Sequence, residues 1–153
     1  MKEKYIQWVF LLILALVLGG CASQPSAPVF QMQGGTNASE PQVTFTLQTA
    51  MMDGKMVYVG SGGTIDGIIN PDLVIGEGDI FQIVLVNGDG MPHDLAVPDI
   101  SVQMAIVSGK GQSVTATANA FTMGEYPYYC TVAGHRQAGM EGKLIVRESK
   151  SSD

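Results

Sequence analysis

Cys130, His135 and Met140 fall at equal five-residue steps in "YYCTVAGHRQAGMEGKLIV", residues 128–146. A thiolate, an imidazole and a thioether are soft-to-borderline donors, unsuited to Mg²⁺ or Ca²⁺, which take oxygen. The residues between them include Ala133, Gly134, Ala138 and Gly139. These are small and turn-prone, so the loop can fold its three donors toward one point. Singly, each has an ordinary reading. His135 in a glycine-rich loop is an exposed residue of no note, and Met140, one of nine methionines, is core filler.

Taken together, the three fit a particular chemistry. One thiolate, two imidazoles and a weak axial methionine make up the donor set of a blue-copper electron-transfer site. A second histidine is then required, and the chain holds only one other, His93. It follows a Gly90-Met91-Pro92 turn and opens an apolar run, a place from which a neighbouring strand can meet the loop. Met51, Met52 and Met56 are the only other methionine grouping. They read as hairpin or packing residues, with a weaker case for a secondary Cu(I) contact.

The elements that must position these donors are strands. "QVTFTLQT" from Gln42 alternates Val43, Phe45 and Leu47 with Thr44, Thr46 and Gln48, a period of two with one buried face. "KMVYVG", "DLVIGEGDIFQIVLVN", "HDLAV", "VQMAIV", "QSVTATA", "EYPYYCTV" and "GKLIVR" follow. Turn signals such as "NGDG" (87–90) and "SGKG" (108–111) separate them. No segment carries a sustained 3.6-residue apolar stripe, so helix is minor. About eight short strands predict an all-β domain, an antiparallel Greek-key sandwich or closed barrel, over residues 41–147. A polar tail, 148–153, ends the chain.

The N-terminus reads as a targeting segment over residues 1–20. Lys2 and Lys4 precede an apolar run from Val9 to Leu18, too short to span a bilayer comfortably. "LGGC", Leu18 to Cys21, resembles the lipobox of bacterial lipoproteins, in which the cysteine becomes the lipid-modified N-terminus. The alternative is an ordinary signal peptide with Cys21 nearby by chance. The placement of Cys21 directly after small residues favours lipidation, and a flexible Ser/Ala/Gln/Pro-rich tether would then occupy residues 21–40. With Cys21 lipidated, Cys130 is a lone thiol in an oxidising compartment and needs a metal or another explanation. A Cys21–Cys130 disulfide is the bland alternative.

The net charge is −6 with only eight basic residues, and no three of them cluster. That excludes nucleic acid as a partner. Loss of residues 1–20 would leave the chain more acidic still.

On these motifs the chain resembles a cupredoxin, the small blue-copper fold of plastocyanin, azurin, auracyanin and multicopper oxidase domains. "DLVIGEGDIFQIVLVN" resembles the strand pair before the first ligand, and "MPHDLAV" the strand carrying it. "GEYPYYCTVAGHRQAGMEGKLIV" resembles the Cys–His–Met loop with its closing strand. "TIDGIINPDLVIGEGD" resembles the entry into copper nitrite reductase and multicopper oxidase domains. Carried over by position, the resemblance implies one type 1 copper ion held by His93, Cys130, His135 and Met140. It implies an electron carrier rather than an enzyme, since protein takes all four positions and no histidine remains for a catalytic copper. The binuclear centre of cytochrome oxidase needs two cysteines in this loop, and there is one. The resemblance further implies a monomer that docks redox partners transiently near the His135 edge. Arg136 departs from an all-apolar rim there, which favours an acidic partner locally. Many family members have Asn after the first histidine, where this chain has Asp94. The family pattern has that residue's backbone N–H donating to the Cys130 sulfur. Its side chain then either shifts the copper potential or only ties loop backbone together. A lipid-anchored carrier on the outer face of a bacterial membrane is expected. The alternatives are a copper carrier or storage lipoprotein, and an accessory electron donor to a nitrogen-oxide reductase.

Overall fold

The computed structural model describes residues 40–149. The leader, Cys21, nearly all of the tether and residues 150–153 lie outside the described residues. Among the described residues nine strands form where about eight were expected: β1 (Val43–Met52), β2 (Lys55–Ser61), β3 (Leu73–Gly76), β4 (Ile80–Val86), β5 (Ala96–Val97), β6 (Val102–Gln103), β7 (Ser113–Asn119), β8 (Gly124–Tyr129) and β9 (Glu141–Arg147). Two 3₁₀ turns, Gly63–Ile65 and Pro98–Ile100, are the only helical elements among the described residues.

The strands make a sandwich of two open sheets rather than a closed barrel, with orders β2-β1-β4-β7 and β3-β9-β8-β5-β6. The sheets are mixed. β1 runs antiparallel to β2 and parallel to β4, and β3 runs parallel to β9. The alternation read in β1 buries Phe45, Leu47 and Thr49, and in β4 the inward residues are Phe81, Ile83 and Leu85. From the facing sheet come Leu73, Ile75, Val97, Tyr128, Leu144 and Val146, with Leu95 just before β5, completing one core. Inward side chains from both sheets interdigitate there, as sandwich packing requires.

Two features direct this core toward one end. β1 and β2 close through Asp53-Gly54, with Met51 opposite Met56, so of the two readings of the methionine grouping, hairpin or packing, it lies on a hairpin. Between β8 and β9 runs the loop 130–140 that carries the sequence-singled donors. β5 meets β8 only at Ala96–Tyr129, which leaves Pro127, lacking an N–H, outside that ladder.

Candidate metal centre

His93 is not inside a strand. It is fixed by an isolated antiparallel bridge to Val107, with His93 N–H donating to the Val107 carbonyl at 3.0 Å and the reverse bond at 2.8 Å. Cys130 follows the last residue of β8. From there the loop is held by its own backbone: His135 N–H to the Val132 carbonyl at 3.0 Å, Met140 N–H to His135 at 3.1 Å, and Cys130 N–H to Met140 at 3.2 Å. The loop turns back toward β9 at Gly139, whose φ of +104° is open to glycine but strained for other residues. Asn70 pins this corner from outside, donating through Nδ2 to the Gly139 carbonyl at 2.8 Å while its Oδ1 accepts from Tyr58 N–H at 3.0 Å.

These supports bring His93, Cys130 and His135 together. Their donor atoms lie within 4.8 Å of one another, and all three residues are buried. Nδ1 of His135 is 3.5 Å from the Cys130 sulfur and 3.2 Å from Nδ1 of His93. Met140 is fully buried on the same loop. His93 is completely enclosed, whereas His135 keeps 7% of its surface exposed, between exposed Gly134 and Arg136.

The electrostatics suit a soft cation. Burial, then the neighbouring His93, push His135 below its ordinary pKa, which leaves a neutral imidazole with a lone pair to offer. Burial pushes the Cys130 thiol up, opposed by hydrogen bonds from the backbone N–H groups of Asp94 and Val132. Those two N–H groups are oriented to favour a thiolate that burial and the Asp94 carboxylate disfavour; a cation held there would supply the missing charge. The donor set therefore fits copper.

Around the donors lies a polar shell, most of which sequence reasoning missed. The Asp94 carboxylate is almost fully buried. It accepts from Thr131 N–H at 2.6 Å, from Gln103 Nε2 at 3.0 Å and from the Thr131 hydroxyl. The side chain thus does tie loop backbone, and it does so as a buried anion beside the sulfur. Tyr58, fully buried, donates its hydroxyl to the Asp94 carbonyl at 2.6 Å and packs against Tyr128 at a 5.5 Å ring separation. Burial first, then Cys130 and Asp94, push its pKa upward, so the phenol stays protonated. Arg136 is not a free basic spot. It makes a two-pronged pair with Glu141 at 2.9 and 2.6 Å and lies 3.8 Å over the Tyr129 ring, so its charge is answered by the strand ends that flank the loop.

Asp94→Asn provides a direct check on this shell. The amide keeps one acceptor oxygen but turns an N–H₂ toward Gln103 or Thr131, losing a charge-assisted bond of about 1.5–3 kcal/mol. The expected outcome is a melting temperature lower by several degrees and a copper potential shifted upward, read by calorimetry and voltammetry.

A two-sheet β-sandwich that gathers two imidazoles and a thiol, with a buried methionine on the same loop, defines a mononuclear copper protein of the cupredoxin class. Residues 45–147 match the copper binding proteins, plastocyanin/azurin family; the chain belongs to this family, and one copper ion is its cofactor. Among curated protein sequences none matches. Solved structures with TM-scores above 0.5 share the fold. Copper nitrite reductase from Nitrosomonas europaea superposes with a TM-score of 0.55 at 18% identity, over 74% of this chain and 44% of that one. The periplasmic domain of cytochrome oxidase subunit II (CoxB) of Bradyrhizobium japonicum gives 0.53 at 14% identity, over 72% and 88%. Auracyanin B gives 0.49 at 22%, over 71% and 91%.

Proposed function

We propose that this protein is a one-electron carrier in which His93, Cys130, His135 and Met140 hold a type 1 copper ion. The observation that carries the reading is the convergence of His93, Cys130 and His135 donor atoms within 4.8 Å in a buried place. A site enclosed by protein, with no position left for substrate, exchanges electrons rather than transforming a ligand. Chain histidines number two, both in the cluster, so a second, catalytic copper lacks imidazoles. An open cavity of about 410 Å³ lies beside β9, lined among others by Asn70, Asp72, Glu125 and Lys143, and none of the four candidate ligands borders it. Electrons would pass through the exposed edge of His135, the one imidazole that reaches the surface. A small contact there suits a monomeric shuttle that must release redox partners quickly. Cys21 would carry lipid and hold the domain on the extracytoplasmic face of a bacterial membrane; an accessory donor to a nitrogen-oxide reductase is one form of this role.

The test is the spectrum of a fragment starting at Ala22 and loaded with Cu(II). Intense blue or green absorption with a narrow copper hyperfine splitting, bleached reversibly by reductant, is the expected result. A colourless Cu(II) complex, or no copper uptake, rejects electron transfer.

One observation favours a second reading, a copper carrier. Met51 and Met52 are 49% and 40% exposed, on the hairpin whose Met56 carbonyl sits beside Gly139 of the ligand loop. A carrier would surrender Cu(I) readily to a competing chelator, whereas an electron-transfer site retains it.

A further inference from the structure

The "NGDG" segment does more than turn the chain. Asn87, fully buried, makes most of the side-chain hydrogen bonds that hold the turn. Its Nδ2 donates to the Met91 carbonyl at 2.6 Å and the Val107 carbonyl at 2.9 Å, and its Oδ1 accepts from Gly90 N–H at 2.6 Å. Asp89, two residues on, is largely freed from that duty. Its Oδ1 accepts from Met91 N–H at 2.9 Å, and both carboxylate oxygens lie 3.1 Å from Nε2 of His93. The Asp89 side chain is 15% exposed and that of His93 is 0% exposed. A mostly buried carboxylate is retained where it finds a hydrogen-bonded partner, and here the partner is the far nitrogen of a candidate copper ligand.

From this arrangement we infer that Asp89 is a positioning residue for the copper centre: it fixes the His93 ring and tautomer and holds a negative charge one imidazole away from the metal. The inference rests on His93 being a ligand. The geometry assigns the proton to Nε2, shared with Asp89, and leaves the Nδ1 lone pair facing His135 Nδ1 at 3.2 Å and the Cys130 sulfur. Such a carboxylate orients a ligating imidazole and raises its basicity. Both effects favour Cu(II), the more highly charged state, over Cu(I). With Asp94, the centre then has carboxylates on two sides, Asp89 mostly buried at His93 and Asp94 almost fully buried at the Cys130 loop. Neither is a ligand in this reading.

The experiment uses the full chain and two variants, D89N and D89A. D89N is isosteric and keeps an oxygen for Met91 N–H, so it removes charge with the least disturbance of the turn. Expected for D89N are an unchanged visible band and a redox equilibrium moved toward Cu(I) by about tenfold, equivalent to about 59 mV for one electron. In D89A, Cu(II) affinity should fall roughly 10–100-fold. The metal-free D89A protein should also lose the single Nε2–H signature of His93 in ¹⁵N spectra of the ring nitrogens. If the D89N potential equals that of the unmodified protein and His93 in D89A keeps one Nε2–H tautomer, Asp89 is a turn residue and the inference is overturned. If D89A does not fold, the D89N potential decides. Cu(I) added to the unmodified chain separates the two levels of the argument. Movement of the His93 Nδ1 resonance supports ligation independently of Asp89, and its absence overturns both readings.

Discussion

Replacing Cys130 by serine is expected to abolish the intense visible absorption of the copper-loaded protein while leaving the β-sandwich folded. The sulfur is the only soft anionic donor at the centre, and strong colour in such sites arises from charge transfer between thiolate and Cu(II). Serine offers an alcohol whose proton is not given up near neutral pH, so two imidazoles and a thioether would face the ion without an anion. Cu(II) bound there should be pale, show a wide hyperfine splitting and be removed far more readily by chelator. The fold should tolerate the change. Cys130 is 1% exposed, but a serine hydroxyl there would meet the N–H groups of Asp94 and Val132 that face the sulfur and could donate to Nδ1 of His135, leaving no orphaned polar atom. A satisfied buried hydroxyl costs little, about 1 kcal/mol. Circular dichroism and calorimetry check the fold, and visible and electron-paramagnetic spectra check the site. A C130S protein that remains intensely blue would show that Cys130 is not the ligand.

How much of this centre could be read from the chain depends on where its parts lie along it. The juxtaposition of Cys130 and His135 was legible because one loop carries both and no long-range contact is needed to see them; Met140 is buried on that same loop. His93 was legible for a different reason, the scarcity of histidine, together with the family resemblance. The alternation of β1 announced a buried face directly, and Phe45 and Leu47 occupy it; β4 reads as a nearly continuous apolar run, so which of its faces carries Phe81, Ile83 and Leu85 inward was not announced. Sheet membership was not legible. Nothing local in "QVTFTLQT" says that it pairs in parallel with a strand nearly forty residues later, since parallel pairing is decided by packing of distant segments. "HDLAV" and "VQMAIV" were read as strands and yield only two-residue β5 and β6. Pro98 cannot donate to a ladder, and His93 reaches Val107 through a single bridge. The polar shell was the least visible part. Tyr58 and Asn70 act on residues 36 and 69 positions away, and no spacing rule connects them. Asp89 was hidden in plain view, because Asn-Gly-Asp-Gly is so strong a turn signal that it accounts for the aspartate before any other role is asked of it.

Met140→Leu should retain the colour and raise the copper potential. Leucine nearly conserves the volume of methionine, so a fully buried residue can be exchanged for less than about 1.5 kcal/mol of stability. The backbone that fixes the position, Met140 N–H to His135 and Cys130 N–H to Met140, is indifferent to the side chain. Only the thioether is removed. An axial thioether is a weak donor to copper and one of the determinants of potential in these sites. It supports Cu(II), the more electron-demanding state, more than Cu(I). Its loss should move the equilibrium toward Cu(I) by roughly one to two powers of ten, each about 59 mV for a one-electron couple. Methionine is neutral, so the substitution leaves the charges of Asp89 and Asp94 in place, and the shift reports the loss of a bond rather than of a charge. Met104, also buried but on another segment, is the control: M104L should have a comparable cost in stability and leave the potential where it was. If M140L instead loses copper altogether, the thioether is a principal ligand rather than a weak axial one. If it shifts nothing, Met140 is core filler, and the centre is held by His93, Cys130 and His135 alone.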